Sequence, residues 1–580
     1  MAGAAGHHRG VAVGGLGRRA IHLGADAMTG SARRWLRAGL AALLVAAPIP
    51  VNSPVAQGIP PPSVDPSAVP AAGEPGPDEP MRQSNRCAQP ITVSDPDVGV
   101  TAPGFAMLNI ATAWEHSTGH GVPVAVIDTG VNPSPRLPVV PGGDYVDGGD
   151  GLSDCDSHGS IIASIIAAAP QGMPMPPPMP AAAAFPAPDG QPVTGAEPPP
   201  ADRPPPPTPK PPPAPVTIIK TEIMPAPAVA PPDPGSPPDA PANAPGDADP
   251  GEPEIPAVPA PEPGAADGVA GVAPHAVLIS VRQTSRAFTP VEPGAGETDL
   301  LRKAGTLATL ARAVVRAADL GAKVINLSVT SCMPSADPLD QRALGAALWY
   351  AATVKDAVVV AAAGNEGEDG CAQNPPADPT AIADPRGWNG VKTVSSPSWF
   401  SDYVLSVAAV DNTGAPLAAS LSGPWVSVAA PGVGVMGLSP FTGGPVNALP
   451  PSRTGERNMP FWGTSFAAAF VTGVAALVRA KYPELSAHQV INRILQTAHN
   501  PPRGVDNQVG YGVVDPVAAL TFDVPPGPRA APGSQTRVIA APAPPQPADR
   551  RAHRFALSFA AVVAAAALAL ALAGRARRSR

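Results

Sequence analysis

One internal tract limits how this chain can fold. Proline accounts for 85 of the 580 residues, and it is concentrated between Pro170 and Pro263. Proline has a fixed φ angle and no backbone N–H, so such a tract cannot form helices or the interior strands of a sheet. A composition with few apolar side chains among the prolines is typical of extended, disordered segments. We therefore predict a mobile insertion over residues 170–265, with a role in access, tethering or partner contact.

On both sides of this tract, short apolar runs alternate with helical patterns. A continuous apolar run is typical of a parallel strand that is buried on both faces. Strands that alternate with helices predict a doubly wound α/β fold, with a parallel sheet and helices on both faces. We expect this domain over residues 101–522, with ligands at the carboxyl ends of its strands. The predicted strands include VPVAVIDTGV, VAPHAVLISVRQ, KVINLSV and VVVAAAGNEG, and the predicted helices include SHGSIIASIIAAA, LATLARAVVRAADLGA and SAHQVINRILQTA.

The first 56 residues have the pattern of an export signal. Arginines precede an apolar run from Ala38 to Ala47, and small residues that end at Ala56 offer a cleavage site. A signal of ordinary length would begin at Met28, which leaves the true start open. Residues 57–100 are proline-rich and polar. We interpret them as an extension that lies on the surface of the domain, since they are too short and too rich in proline to form a folding domain.

The other end of the chain has the pattern of a membrane anchor. A proline-rich linker over residues 523–553 precedes a predicted transmembrane helix at 554–574, which contains the uncharged run Phe555–Ala573. That run would span about 29 Å as a helix, close to the thickness of a bilayer core. Arginines in the tail at 575–580 favour a cytoplasmic C-terminus, and the export signal places the domain outside the cytoplasm. The alternative is an alanine-rich helix of a soluble protein.

The four cysteines suggest two disulfides, because disulfides persist in exported proteins. Three pairings are possible. Pairing the neighbours in sequence joins Cys87 to Cys155 and Cys332 to Cys371, and this is the arrangement we predict. The chain-entropy model assigns each such bridge about 4 kcal/mol of stability. The first bridge would fasten the extension beside His158.

Composition and motifs exclude several functions. The net charge of -8 and the pI of about 5.7 give no basic face for nucleic acid. No glycine-rich loop of the phosphate-binding kind is present, and no cysteines and histidines have the spacing of a zinc site. Acidic residues near Asp147 and Asp150 lie in a glycine-rich stretch, where a solvated turn is the preferred interpretation. We predict neither a cofactor nor a metal.

Four polar residues stand at predicted strand ends and helix starts. Ser465 in FWGTSFAAAF opens a helix, where a serine is either an N-cap or a nucleophile. A nucleophilic serine needs a base and an orienting carboxylate. His158 begins a helix and Asp128 ends a buried strand, where an unpartnered carboxylate would be costly to desolvate. Asn365 follows another strand and is either a turn residue or an oxyanion donor.

Together these residues resemble a known family. The blocks VIDTGV, SHGS, AAAGNEG and GTSFAAA are similar to the four signature blocks of the subtilisin-like serine proteases. The resemblance implies that Asp128 orients His158, that His158 takes the proton of Ser465, and that Ser465 attacks the scissile carbonyl. It also implies that Asn365 and the backbone N–H of Ser465 hold the oxyanion, so Ser465 is interpreted as a nucleophile.

A narrower resemblance is to the mycosins, the membrane-anchored proteases of mycobacterial type VII secretion systems. It rests on the export signal, the cysteine-bearing extension, DCDSHG, VRQTS and the C-terminal helix with its basic tail. It implies an extracytoplasmic serine endopeptidase that processes secreted protein substrates and contacts the secretion membrane complex. Two alternatives stay open, a docking subunit of that complex with secondary protease activity and a housekeeping protease released from its anchor.

The chain departs from the subtilisin pattern at two sites. Ala469 stands where most members have a proline. The strand INLSVTSC lacks the paired glycines that usually open the first specificity pocket, so we expect a bulkier pocket wall. Asn326, Leu327 and Ser328 of this strand are the predicted substrate-binding residues.

Overall fold

The computed structural model of the chain describes the folded domain, both ends of the insertion and the C-terminal helix. The predicted signal over residues 1–56, most of the insertion and most of the proline-rich linker lie outside the described residues. The described residues are 59–178, 255–262, 264–292, 305–368, 370–378, 380–451, 457–502, 504–532 and 551–578.

The centre of the domain is a parallel sheet of seven strands. Its strand order is β11-β10-β8-β6-β2-β4-β3, and every neighbouring pair is parallel. The carboxyl ends of all seven strands therefore meet at one edge. In chain order the strands are β1 (Met81–Gln83), β2 (Pro123–Asp128), β3 (Val139–Asp144), β4 (Val277–Arg282), β5 (Phe288–Pro290), β6 (Val324–Leu327), β7 (Ser331–Pro334), β8 (Val358–Ala362), β9 (Thr393–Ser396), β10 (Val404–Val410), β11 (Val426–Pro431), β12 (Gly437–Leu438), β13 (Pro445–Val446), β14 (Ala448–Leu449) and β15 (Met459–Pro460).

Helices cover both faces of this sheet, which confirms the predicted doubly wound α/β fold. Because side chains alternate along a strand, Val124 and Val126 of β2 pack with helices of one face, whereas Ala125 and Ile127 pack with helices of the other. The helices are α1 (Pro103–Met107), α2 (Ile110–Ala113), α3 (His158–Ala167), α4 (Leu307–Asp319), α5 (Arg342–Trp349), α6 (Thr464–Lys481), α7 (Ala487–Thr497), α8 (Pro516–Thr521) and α9 (Arg551–Arg578). The first face holds α3, α6, α7 and α8, and the second holds α4 and α5.

Helix α6 is buried along almost its whole length. Its small residues allow close packing, since a Cβ at Gly473 would lie 2.4 Å from the Cβ of Val272. The absent side chain is therefore required for the contact with the segment that follows the insertion. Ala469 is also fully buried in this helix.

The N-terminal extension runs over the surface of the domain. Its strand β1 pairs antiparallel with β5. Farther along, the side chain of Asn447 bonds both backbone groups of Val93, accepting from the N–H at 2.7 Å and donating to the carbonyl at 2.9 Å. Asp78 forms an ion pair with Arg312 at 2.6 Å. Residues 59–100 thus contact several parts of the domain.

The two ends of the insertion meet at a neck. Arg136 donates to the carbonyls of Ala169 and Val269, which lie on opposite sides of the insertion, and pairs with Asp267 at 2.6 Å. The first residues of the predicted insertion pack on the domain through Met173, and its last residues contact the N-terminal extension. For example, the N–H of Val258 donates to the carbonyl of Thr92 at 2.9 Å.

Helix α9 contains the predicted membrane anchor. Its segment Leu557–Arg575 has a mean hydropathy of 2.3, and none of it is buried against the rest of the chain. Helix α6 is also long and apolar enough to cross a membrane, but 89% of it is buried. Within the described residues, α9 is therefore the apolar helix whose surface is free for lipid.

Candidate active site

The predicted site residues come from separate elements that meet at the carboxyl edge of the sheet. Asp128 is the last residue of β2, and Ser328 follows β6 directly. Asn365 lies in the turn after β8, while His158 opens α3 and Ser465 is the second residue of α6. This is the edge at which parallel sheets bind ligands.

Asp128 and His158 are already joined. The Nδ1 of His158 lies 2.7 Å from Oδ1 of Asp128, and the side chain of Asp128 has no exposed surface. The N–H of Thr129 donates to the same oxygen at 2.7 Å. Since an ionised carboxylate can only accept, Nδ1 of His158 carries the proton and Nε2 is left as an acceptor. The side chain of His158 is 31% exposed, so part of the ring is accessible from solvent.

Two opposing effects set the pKa of His158. Burial lowers its pKa, but attraction to the charge of Asp128 and the hydrogen bond between them outweigh the burial, so the net pKa is raised above the ordinary 6.5. The imidazolium form is thereby stabilised. A base of this kind holds a proton readily once it has accepted one.

A second carboxylate supports this pair and was not singled out from the sequence. Asp154 is buried, and it accepts hydrogen bonds from the N–H groups of Ser157 and Ser160, both at 2.8 Å. It also accepts from the hydroxyl of Thr129 at 2.9 Å. Burial raises the pKa of Asp154 to about 7. The N-cap position of α3 belongs to Ser157, so the sequence gives no helix-cap signal that could have identified Asp154.

Ser465 is not the cap of its helix. The N-cap residue of α6 is Gly463, and no side chain caps the helix. The hydroxyl of Ser465 instead donates to the carbonyl of Ser328 at 3.0 Å, and the hydroxyl of Ser328 donates to the carbonyl of Ser465 at 3.1 Å. Among the described residues, no hydrogen bond joins Ser465 to His158. The ring of Phe466 lies 5.4 Å from the ring of His158, centroid to centroid.

The side-chain amide of Asn365 is held at both ends. Its Oδ1 accepts from the N–H of Thr464 at 3.0 Å and from the Thr464 hydroxyl at 3.1 Å. Its Nδ2 donates to Oε2 of Glu368 at 3.0 Å. Because the backbone N–H can only donate and the carboxylate can only accept, the orientation of the amide is fixed.

The three predicted substrate-binding residues differ in their surroundings. Asn326 and Leu327 are fully buried, and Leu327 packs with the core on the α4 and α5 face. Asn326 donates to the hydroxyl of Ser328 at 2.8 Å and accepts from Thr472 at 2.8 Å. Their side chains therefore support the site from within the protein. Ser328 is the one of the three that contacts Ser465.

Both predicted disulfides are formed, Cys87 with Cys155 and Cys332 with Cys371. The first ties the extension to the segment before His158, where the hydroxyl of Ser157 also donates to the carbonyl of Ala88 at 2.9 Å. The second joins β7, which follows β6, to the segment that follows Asn365. Within the described ranges, no three His, Cys, Asp or Glu residues are grouped so as to hold a metal ion.

Comparisons with known proteins identify the family to which the chain belongs. The family model described as the Subtilase family (Peptidase S8) matches residues 255–512, which include Asn365 and Ser465. Mycosin-2 of Mycobacterium tuberculosis is 64% identical over 552 residues, covering 94% of this chain and 99% of the relative. The chain belongs to the mycosin family. Like other members of the subtilase family, it is a serine protease.

Two solved structures extend this comparison. A crystal structure of MycP1 from the ESX-1 type VII secretion system is 39% identical, with a TM-score of 0.62 over 82% of this chain and 99% of that chain. A chain in an intact ESX-5 inner membrane complex is 43% identical, with a TM-score of 0.61 over 88% of this chain and all of that chain. The subtilisin-like fold is therefore confirmed for this mycosin.

Proposed function

We propose that this mycosin is a serine endopeptidase in which Asp128, His158 and Ser465 form the catalytic triad. The observation that carries the proposal is the 2.7 Å hydrogen bond between Asp128 and His158, made at the sheet edge where α6 presents Ser465. The bond fixes the tautomer that leaves Nε2 free to accept a proton.

The reaction begins with a change of partner for the nucleophile. The Ser465 hydroxyl leaves the carbonyl of Ser328 and donates to Nε2 of His158. As the oxygen attacks the scissile carbonyl, its proton passes to His158, and the buried charge of Asp128 stabilises the imidazolium that forms. His158 then gives this proton to the leaving amine, and the peptide bond breaks with an acyl-enzyme at Ser465. A water molecule repeats the sequence to release the acid.

The developing oxyanion is stabilised by two donors. The Nδ2 of Asn365 has two N–H groups, of which one bonds Glu368 and the second is available to the oxyanion. The backbone N–H of Ser465 lies in the first turn of α6, where the helix dipole also favours negative charge. Loss of one such donor typically costs about 3 kcal/mol of transition-state stabilisation.

The cellular role follows from the relatives and the C-terminal helix. We infer that the protease acts in type VII secretion, processes secreted proteins and contacts the membrane complex, because a similar chain is part of the ESX-5 inner membrane complex. Helix α9 crosses the membrane once, with the basic tail at 575–580 in the cytoplasm and the protease domain on the opposite side. The same structural match favours a second function, that of a docking subunit of the complex.

Labelling of membranes with a fluorophosphonate probe tests the proposed activity. The wild-type chain should be labelled, whereas Ser465→Ala should remain in the membrane fraction without label. Labelling of the variant at the wild-type level would contradict the triad. Secretion complexes that assemble with Ser465→Ala but not without the chain would establish the docking role beside the protease activity, and comparison of secreted proteins between the same strains would identify the processed substrates.

A further inference from the structure

A carboxylate lies within hydrogen-bonding distance of the proposed oxyanion donor. Oε2 of Glu368 accepts from Nδ2 of Asn365 at 3.0 Å, while the other end of the amide is held by Thr464. Glu368 is half-buried at the rim of the site. No step of the proposed reaction uses this carboxylate, although it touches the group that must stabilise negative charge.

The backbone keeps Glu368 in this position. Its N–H donates to the carbonyl of Asn365 at 3.2 Å, and its own carbonyl accepts from the N–H of Cys371 at 2.8 Å. Cys371 is in turn bonded to Cys332 of β7. These two hydrogen bonds and the disulfide hold the backbone of Glu368, and its side chain lies against the amide of Asn365. A freely moving surface glutamate would not be held in this way.

We propose that Glu368 is a positioning residue that restrains the protease by acting through Asn365. The inference rests on the proposed oxyanion role of Asn365 and adds a regulating group to the same site. The carboxylate aligns the amide, but its negative charge lies one amide nitrogen away from the place where the oxyanion forms. Like charges at such a distance repel each other, most strongly where water is excluded.

This repulsion acts mainly on the transition state. The substrate carbonyl is neutral when it binds and becomes negative only during attack by Ser465, so the carboxylate raises the barrier of the chemical step more than it weakens binding. A substrate or partner that draws Glu368 away from Asn365 would therefore speed acylation. The enzyme would be slow by default and faster when this contact is broken.

The substitution Glu368→Gln tests the charge while keeping the hydrogen bond, since the carbonyl oxygen of a glutamine can accept from Nδ2 of Asn365. On a peptide ester with uncharged residues, the full chain with Glu368→Gln should show kcat raised about tenfold, because a partly exposed charge expresses only part of its Coulomb energy. KM should change by less than about twofold. The matched control is Glu484→Gln, a substitution of an exposed glutamate in the turn between α6 and α7.

Two further measurements separate electrostatics from packing. A peptide boronic acid forms a negatively charged adduct with an active-site serine, so Glu368→Gln should bind it about tenfold more tightly than the wild type. Added salt screens exposed charges. The kcat of the unmodified chain should therefore rise with salt, and the ratio between Glu368→Gln and wild type should shrink. A change of packing alone would not follow the salt concentration.

Asn365→Ala separates failure of this inference from failure of the proposed function. In that background, the amide that holds Glu368 in place is gone, so Glu368→Gln should raise kcat much less than it does in the wild type. If Asn365→Ala itself hydrolyses the ester at the wild-type rate, Asn365 is not the oxyanion donor. Glu368 then cannot restrain the reaction through it. If Asn365→Ala is impaired while Glu368→Gln has a kcat equal to or below that of the wild type, the oxyanion role stands and the restraint by Glu368 is overturned.

Discussion

The site has a base half, made of Asp128 and His158, and a nucleophile half, made of Ser465 and Asn365. The two halves differ in the hydrogen-bond partners of their polar groups. His158 is hydrogen-bonded to Asp128, the partner that the proposed reaction requires. The hydroxyl of Ser465 instead donates to the carbonyl of Ser328, and the amide of Asn365 donates to Glu368. The first contact must break before Ser465 can donate to His158, and the second leaves one N–H of the Asn365 amide for the oxyanion.

Because of this difference in partners, the two halves can be studied by different measurements. The base half needs no rearrangement, so its ionisation should be measurable in the free enzyme. In the nucleophile half, Ser465 must exchange its partner before it can attack, so substitutions there should change kcat more than they change the free protein.

Ser465→Ala should remove the central group of the nucleophile half. We expect kcat for a peptide ester to fall by about 10⁶, as for loss of the corresponding serine in the subtilisin series. The base half should be unaffected, so an NMR titration of His158 should give the same direction of pKa shift as in the wild type. Ser94→Ala, a substitution of an exposed serine on the extension, is the control. Residual hydrolysis near the wild-type rate would contradict the assignment.

Asp128→Asn should disable the base half while leaving the nucleophile half intact. An asparagine can donate to Nδ1 and thereby stabilise the wrong tautomer of His158, so kcat should fall by about 10⁴. The contacts of Ser465 and Asn365 do not involve Asp128. Asp150→Asn, in the exposed glycine-rich loop, is the matched control. An Asp128→Asn enzyme that retains a tenth of wild-type kcat would mean that another group orients His158.

The pH dependence of the rate measures the base half directly. Protonated His158 cannot accept the proton of Ser465, so kcat/KM should be low at acid pH and rise as pH increases through the pKa of His158. Since that pKa is raised above 6.5, the midpoint should also lie above 6.5. Asp128→Asn removes the attraction and leaves the burial, so the residual activity should have a lower midpoint. A wild-type midpoint below 6.5 would show that burial dominates.

The sequence was sufficient for features that depend on local pattern. Asp128 and Asn365 could be placed because buried parallel strands are continuous apolar runs, and their ends are marked by glycine. The disulfides followed from neighbouring cysteines, which was a choice among three pairings. The C-terminal helix followed from a long uncharged run. Each of these depends on residues that are close in sequence.

Features that depend on how distant segments approach one another could not be predicted in this way. Asp154 and Thr129 are 25 residues apart, and their hydrogen bond exists only because α3 starts beside the end of β2. The burial of Asn326 and Leu327 depends on helices packed against both faces of β6. The contact between Glu368 and Asn365 depends on a turn that a disulfide closes. Local periodicity contains no information about these distances.

The two disulfides extend the contrast between the halves, because each supports one of them. Replacing Cys332 and Cys371 by serine should loosen the turn that holds Asn365, and we expect kcat to fall about tenfold, since small displacements of catalytic groups are costly. Replacing Cys87 and Cys155 should leave kcat within about twofold, because the contacts of Asp154 still hold the start of α3. Each pair should lower the free energy of unfolding by about 4 kcal/mol.

Steady-state kinetics and denaturant unfolding of the two double variants provide the test. Each variant is the control for the other, since both lose one bridge of the same kind. An equal loss of kcat in both would show that the two halves depend on their disulfides alike. Non-reducing mass spectrometry of the wild type should first find the two predicted cystine peptides.

The smallest effect is expected from the insertion, whose described residues form no hydrogen bond with Asp128, His158, Asn365 or Ser465. Replacing residues 179–254 by a short Gly/Ser linker keeps the segments that pack on the extension and on the domain. The neck stays closed, because Arg136 still binds Ala169 and Val269. The entropy of closing a loop changes slowly with its length, so the free energy of unfolding should rise by only about 2 kcal/mol or less. Hydrolysis of a small peptide ester should be unchanged.

A matched pair of variants tests whether the contacts of Arg136 at the neck explain why the chain tolerates a shortened insertion. Arg136→Met removes the hydrogen bonds at the neck and leaves Asp267 without its partner, so it should destabilise the wild-type chain and the shortened chain by a similar amount, about 3 kcal/mol. The measurement is denaturant unfolding of the four proteins, with ester hydrolysis as the second readout. A shortened chain that folds as stably as the wild type but does not hydrolyse the ester would show that the insertion helps to build the active site. A much larger effect of Arg136→Met in the full-length chain than in the shortened one would show that the long insertion pulls on the neck.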